Sequence, residues 1–196
     1  SENTDNNRSA DYIVYNKDNF YLADALIARK GTHILLRNGT YKNSENLLEL
    51  PEITLSGETS NDTTIDAVNL SIKKAVVENI TFKDCAIAVT GAVLFKNCTF
   101  ENTNIDVKET AENVVFRDCR LEELIADGKG IQLFNSTVLK IAQTGELSLY
   151  NSSVATTLSH DSTEKLTLYG SYVNTLENIK GAIFINTGRI EKLNII

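Results

Sequence analysis

Apolar and polar residues alternate along this chain in short bursts, and one burst recurs. It reads apolar, any, apolar, polar, Asn or Asp, small, any, apolar. Copies begin at Ile80, Val93, Val114, Ile131, Leu147, Leu166 and Ile183. Their starts lie 13, 21, 17, 16, 19 and 17 residues apart. A unit of this size, repeated, predicts a solenoid. Within each copy, residues two apart share a face, as in a strand. Ile80 and Phe82 are expected to point in, Thr81 and Lys83 out. The Asn or Asp that follows predicts a sharp corner, because these side chains tolerate left-handed backbone and bond their own main chain.

Stacking the copies turns sequence positions into columns. Asp84, Asn97, Asp118, Asn135 and Asn151 are expected to queue along one edge. Cys85, Cys98, Cys119, Ser136, Ser152 and Ser171 are expected just inside it. Leu124, Ile141, Leu158, Leu176 and Leu193 supply a third wall. The first interval is short for a three-walled coil, so either that coil is pinched or the register changes between residues 85 and 98.

Upstream, the polar residues 1–11 read as a flexible leader of the kind that follows a lipid anchor in bacterial surface proteins. Tyr12 to Tyr15 is a short strand. Phe20, Ala23, Leu26 and Ile27 recur at helical spacing and predict one amphipathic capping helix over about 19–29, ended by Gly31. His33 opens a strand, and coils run from about 32 to 196. The domain is therefore residues 12–196. The chain ends on Leu193-Asn-Ile-Ile196, and a bare sheet edge invites pairing. Self-association, or a further domain, is expected at that edge.

The predicted helix, then Ala28-Arg-Lys-Gly-Thr-His-Ile-Leu-Leu-Arg-Asn-Gly-Thr-Tyr41, then Ile53-Thr-Leu-Ser-Gly57, resembles the opening of pectate-lyase-like right-handed parallel β-helix proteins. The later Phe-x-Asn-Cys phrases resemble ordinary coils of that superfamily. The resemblance covers roughly residues 12–196. It implies an all-β solenoid with one N-terminal capping helix, outside the cell or on its surface. It does not fix an activity, because the fold hosts many. Leucine-rich repeats fit less well, since the returns are too short and too β-branched for helices. Ice-binding solenoids want flat outward rows of Thr, and the outward rows read as mixed.

Composition narrows the partners. The apolar share of 42% supports a core, and the formal net charge of −7 argues against a general nucleic-acid binder. No stretch approaches the ~20 apolar residues of a membrane helix. The sequence contains no Met, which fits a processed, exported product. Three cysteines without a CxxC pair give no metal site and read as small buried thiols.

The outward residue before each corner gives the row Lys83, Lys96, Arg117, Phe134, Tyr150, Tyr169, Asn186. Rungs about 4.8 Å apart would make this a basic stripe running into an aromatic one. Sugar rings stack on aromatic faces and carboxylated sugars pair with cations. Lys83, Lys96, Arg117, Phe134, Tyr150 and Tyr169 are thus the candidate ligand residues, for a polysaccharide, acidic by this chemistry. Aromatic rows also stabilise sheets without any ligand. Under a lyase or hydrolase alternative, Lys83, Arg117, Asp84 and Asp118 are the catalytic candidates, and calcium enters only there. The outward Asp pairs of resembling lyases and esterases are missing, so the favoured reading is a non-catalytic, polysaccharide-interacting module without cofactor. A purely structural fragment of a longer solenoid is the third reading. Ser159-His160-Asp161 is expected in a solvated loop, since triad members converge in space and not in sequence. Most Asn-x-Ser/Thr matches are by-products of corners.

Overall fold

The computed structural model describes residues 10–15, 31–43 and 47–194. They form a parallel β-helix of about nine turns, and every strand pairing is parallel. The predicted helix over 19–29 and most of the leader lie outside the described residues, and no helix occurs among those described. The expected strand at Tyr12 is present as Tyr12–Val14, laid on His33–Leu36.

Each full coil has three walls. The first wall stacks His33–Leu36, Ile53–Gly57, Ala75–Glu78, Val93–Lys96, Val115–Arg117, Ile131–Phe134 and Leu147–Tyr150, then the starts of Leu166–Glu177 and Ile183–Asn194. The second wall stacks Gly39–Tyr41, Thr63–Asp66, Thr81–Lys83 and Thr99–Glu101, and continues through Arg120 and Thr137. The third runs from Leu48–Leu50 through Asn69–Ile72, Ala86–Val89 and Asn104–Val107 to Glu123 and beyond.

Inward residues make one continuous core. Ile34, Leu55, Val77, Phe95, Phe116, Leu133, Leu149 and Leu168 form a first-wall column, all buried. Leu124, Ile141, Leu158, Leu176 and Leu193 stack in register as the expected third-wall column.

The corner between the first and second walls is held by backbone shape. Asn79, Asn97, Asp118, Asn135 and Asn151 have φ of 58°, 52°, 54°, 49° and 46°, and Gly170 continues them at 57°. A left-handed residue costs roughly 1–2 kcal/mol for most side chains, and Asn, Asp and Gly reduce that cost. Each corner N–H also reaches the coil above it, as in Asn97 N–H to the Arg117 carbonyl at 2.9 Å. The Asn97 amide donates to Asn79 Oδ1 at 2.9 Å, and the Asn135 amide to Asp118 Oδ1 at 2.7 Å.

One register expectation is corrected. Asp84 does not belong to this ladder, and Asn79 stands in its place. Asp84 sits at a second corner, between the second and third walls, with Ala67 and Asn102 at φ of 56° and 43°. The Asn102 amide donates to Asp84 Oδ1 at 2.7 Å. Cys85 moves with it, accepting no place in the thiol column; its N–H donates to Thr103 Oγ1 at 3.1 Å. The short interval of 13 residues therefore separates copies on two walls of successive coils. Nothing is pinched.

Inside the first corner the remaining column runs Cys98, Cys119, Ser136, Ser152, Ser171. Each hydroxyl accepts an N–H from the neighbouring coil: Cys119 to Ser136, Ser136 to Ser152 and Ser152 to Ser171, all at 3.1 Å. Each hydroxyl then donates to a carbonyl two residues back, as in Ser152 to Tyr150 at 2.8 Å. The buried hydroxyls and N–H groups of this column are satisfied in this way. The three cysteines are free and buried, and burial pushes the Cys98 thiol well above its ordinary range.

Candidate functional site

The outward row on the first wall is real, with one substitution. Glu78, Lys96, Arg117, Phe134, Tyr150, Tyr169 and Asn186 are consecutive register partners. Lys83 is not among them. It lies on the second wall, in register with Asp66 and Glu101. The stripe therefore has two cations beside an acid instead of three adjacent cations. Glu78 is partly engaged, since Ser56 Oγ donates to its Oε1 at 2.7 Å and lies 2.7 Å from His33 Nε2.

The aromatic part is a stack. Phe134 and Tyr150 have centroids 4.6 Å apart and planes 5° from parallel; Tyr150 and Tyr169 are 4.8 Å and 2°. The Arg117 guanidinium carbon lies 4.5 Å from the Phe134 centroid, a cation–π contact that extends the stack by one planar group. The spacing follows from the rungs themselves. Both faces of Tyr150 are covered by its neighbours, whereas Tyr169 has a ring on one side only and Asn186 in register on the other. The hydroxyls of Tyr150 and Tyr169 make no hydrogen bond among the described residues. Lys96 and Arg117 are exposed and form no ion pair there.

The catalytic candidates do not come together. Lys83 and Asp84 belong to the second wall and its far corner, Arg117 and Asp118 to the first wall and its corner. Asp84 and Asp118 each accept a ladder amide. Backbone shape explains both carboxylates. Among the described residues no group of three or more His, Cys, Asp or Glu is placed to hold a metal ion, and no helix is long and apolar enough to cross a membrane.

His160 is also corrected. It is fully buried, at the end of Ser153–His160, in register with Gln143. The Gln143 amide nitrogen donates to the carbonyls of Gly145 and Lys165, at 2.8 and 3.2 Å. Its Oε1 therefore faces His160 Nδ1, 2.9 Å away, and Nδ1 carries the proton. Nε2 finds no partner in bonding geometry, and burial pushes the ring's pKa down, with the Gly181 backbone opposing this only in part.

Two features were missed from sequence. A groove of about 660 Å³ opens on the first wall toward the N-terminal coils, bordered by Arg117. On the second wall Thr40, Thr64, Thr81 and Thr99 do form an outward Thr row, broken by Arg120. The alternation was legible, but the pairing of second-wall strands was hidden by the register error at Asp84.

Comparison with known proteins gives fold without family. No family model and no curated protein matches the chain. Among solved structures it is similar to a polygalacturonate lyase fused with a self-assembling amphipathic peptide. That match has a TM-score of 0.58 and 12% identity, over 96% of this chain and 82% of the other. A point mutant of Bacillus subtilis pectate lyase gives a TM-score of 0.56 and 12% identity, over 93% and 80%. The chain thus has the pectate-lyase-like right-handed parallel β-helix fold expected from its sequence.

Proposed function

We propose that this chain is a β-helix module that holds an acidic polysaccharide against its first wall without chemistry of its own, outside the cell or at its surface. The observation that carries the reading is the pair of exposed cations, Lys96 and Arg117, without an ion pair among the described residues and in line with the hydroxyls of Tyr150 and Tyr169. Such groups suit a carboxylated chain laid along the axis, since charge-assisted hydrogen bonds are the strong ones. The two similar structures, a polygalacturonate lyase and a pectate lyase by name, support an acidic sugar chain as the partner. The module is taken as residues 12–196, without metal or cofactor.

The lyase or hydrolase alternative has lost the cluster the sequence offered it, because Lys83 and Arg117 lie on different walls. A structural role keeps one observation of its own. Ile185 and Leu193 continue buried columns into the last described coil yet are 52% and 57% exposed. That edge is where self-association or a further coil would join.

Affinity electrophoresis through gels containing polygalacturonate, alginate or neutral glucan tests the reading. Retardation is expected in an acidic gel only, weakened most in Arg117→Gln and less in Tyr150→Ala and Tyr169→Ala. Equal mobility of all variants in every gel removes the proposal. Appearance of unsaturated uronate absorbance, with or without calcium, would replace it with the lyase alternative.

A further inference from the structure

Cys98 and Cys119 are neighbours in the column inside the first corner. The pairings of Lys96 with Arg117 and of Thr99 with Arg120, on either side, set them on consecutive rungs. Hydrogen bonding at this position needs only a small donor and acceptor, which Ser136, Ser152 and Ser171 supply in the following coils. Two adjacent thiols are therefore not required by the column. Cys85 has no such neighbour. It stands at the second corner, on a rung between Val68 and Thr103.

Rungs lie about 4.8 Å apart, inside the Cα separation of about 4.4–6.8 Å that a disulfide spans. Side chains leaving two rungs in parallel keep that spacing at Cβ, slightly more than the usual ~3.5–4.5 Å. Closing a bond draws the two coils together at the corner and strains it, and strained disulfides are the readily reduced ones. Both thiols are buried, but each directly follows an exposed corner residue, Asn97 or Asp118. A local opening of the corner lets a small oxidant reach them. Their chemistry is unequal. Burial raises the Cys98 thiol well above its ordinary value, whereas at Cys119 burial is outweighed by hydrogen bonds from the Cys98 side chain and backbone, which hold it below. The thiolate is the nucleophile, so Cys119 is the one to react first.

We infer that Cys98 and Cys119 form a reversible disulfide across neighbouring coils when the chain meets hydrogen peroxide. The Cys119 sulfur attacks one peroxide oxygen, the O–O bond breaks, and the leaving hydroxide takes up the proton the thiol released. The Cys98 sulfur then displaces hydroxide from the resulting sulfenic acid, and this departs as water with the Cys98 proton. The two thiols lose two electrons in all, and the peroxide is reduced to two waters.

The test treats the native full chain with hydrogen peroxide, at a dose that oxidises the urea-unfolded chain. The chain is then unfolded with iodoacetamide present, and its cysteines are mapped by peptide mass spectrometry. A Cys98–Cys119 link is expected at about tenfold or more over any link to Cys85, with Cys85 alkylated and the link lost on dithiothreitol. Oxidation in urea should instead favour Cys85–Cys98, the pair closer in sequence, because the shorter loop is easier to close. Cys98→Ser should leave Cys119 as a sulfenic acid trapped by dimedone, and Cys119→Ser should leave Cys98 unreacted. Where either variant fails to fold, Cys85→Ser, which keeps the pair intact, should retain the link. Three alkylated thiols after peroxide overturn the inference, as does a native-state link that favours Cys85 or irreversible oxidation without a link.

Discussion

The coils around Phe82 to Phe116 and those from Ile131 to Glu177 share their first corner but not their contents. In the central coils the aromatic mass is inside. Phe82 stacks on Phe100 at 5.2 Å and Phe95 on Phe116 at 5.0 Å, with Phe95 edge-on to Phe100 at 5.4 Å. In the later coils the inward apolar columns are Leu, Val and Ile, and Phe134, Tyr150 and Tyr169 stand outside. The central coils turn their second corner on Asp84 and Asn102. The later ones run through it as single strands, Thr137–Gln143 and Ser153–His160, with register shifts after Val138 and Val154. The first corner is the shared feature, so the corner, and not the filling, sets the coil.

Filling should still dominate stability locally. Phe95→Ala removes a fully buried ring packed against two others, and a loss of about 3–5 kcal/mol is expected by urea denaturation. A loss below about 1 kcal/mol would mean the central stack is not a packed core. Corner substitutions should come next. Asn135→Ala gives up the left-handed preference and the bond to Asp118, about 1–3 kcal/mol together. Asn135→Gly keeps the backbone freedom and should cost less; the reverse order would contradict a backbone role.

Acid should distinguish the two regions. His160 is buried among the later coils with its pKa held below the ordinary value. Its neutral form is the one the fold accepts, so its contribution is complete above about pH 6.5 and is lost as pH falls below that. Melting temperature should drop between pH 7 and 5, and His160→Gln, which can still donate to Gln143, should flatten that slope. An unchanged slope would show that other groups control it. The smallest effect is expected at the thiols. Cys119→Ser continues the hydroxyl column of Ser136, Ser152 and Ser171 and should shift stability by no more than about 1 kcal/mol.

The sequence carried the third-wall column and all but one member of the outward row, because period-two alternation and a fixed corner map directly onto register. It misled at Lys83, Asp84 and Cys85 because the second corner uses the same Asp-small chemistry as the first. Asn102-Thr103 repeats Asp84-Cys85 one coil on, and this was the available signal. The true first-wall copy, Ala75 to Ile80, was hidden because Ile80 stands where a small residue was expected. His160 was misplaced since a Ser-His-Asp run looks solvated until its column partner Gln143 is known. The mutual covering of the tyrosine faces depends on side-chain rotation, which alternation does not encode.

The central functional claim is electrostatic, and one measurement addresses it most directly. Calorimetric titration with oligogalacturonate at two salt concentrations should show binding by the wild-type chain that weakens with salt. It should vanish in the Lys96→Glu, Arg117→Glu double variant, at an unchanged melting temperature. Binding that is indifferent to salt and survives in the folded double variant would contradict the account.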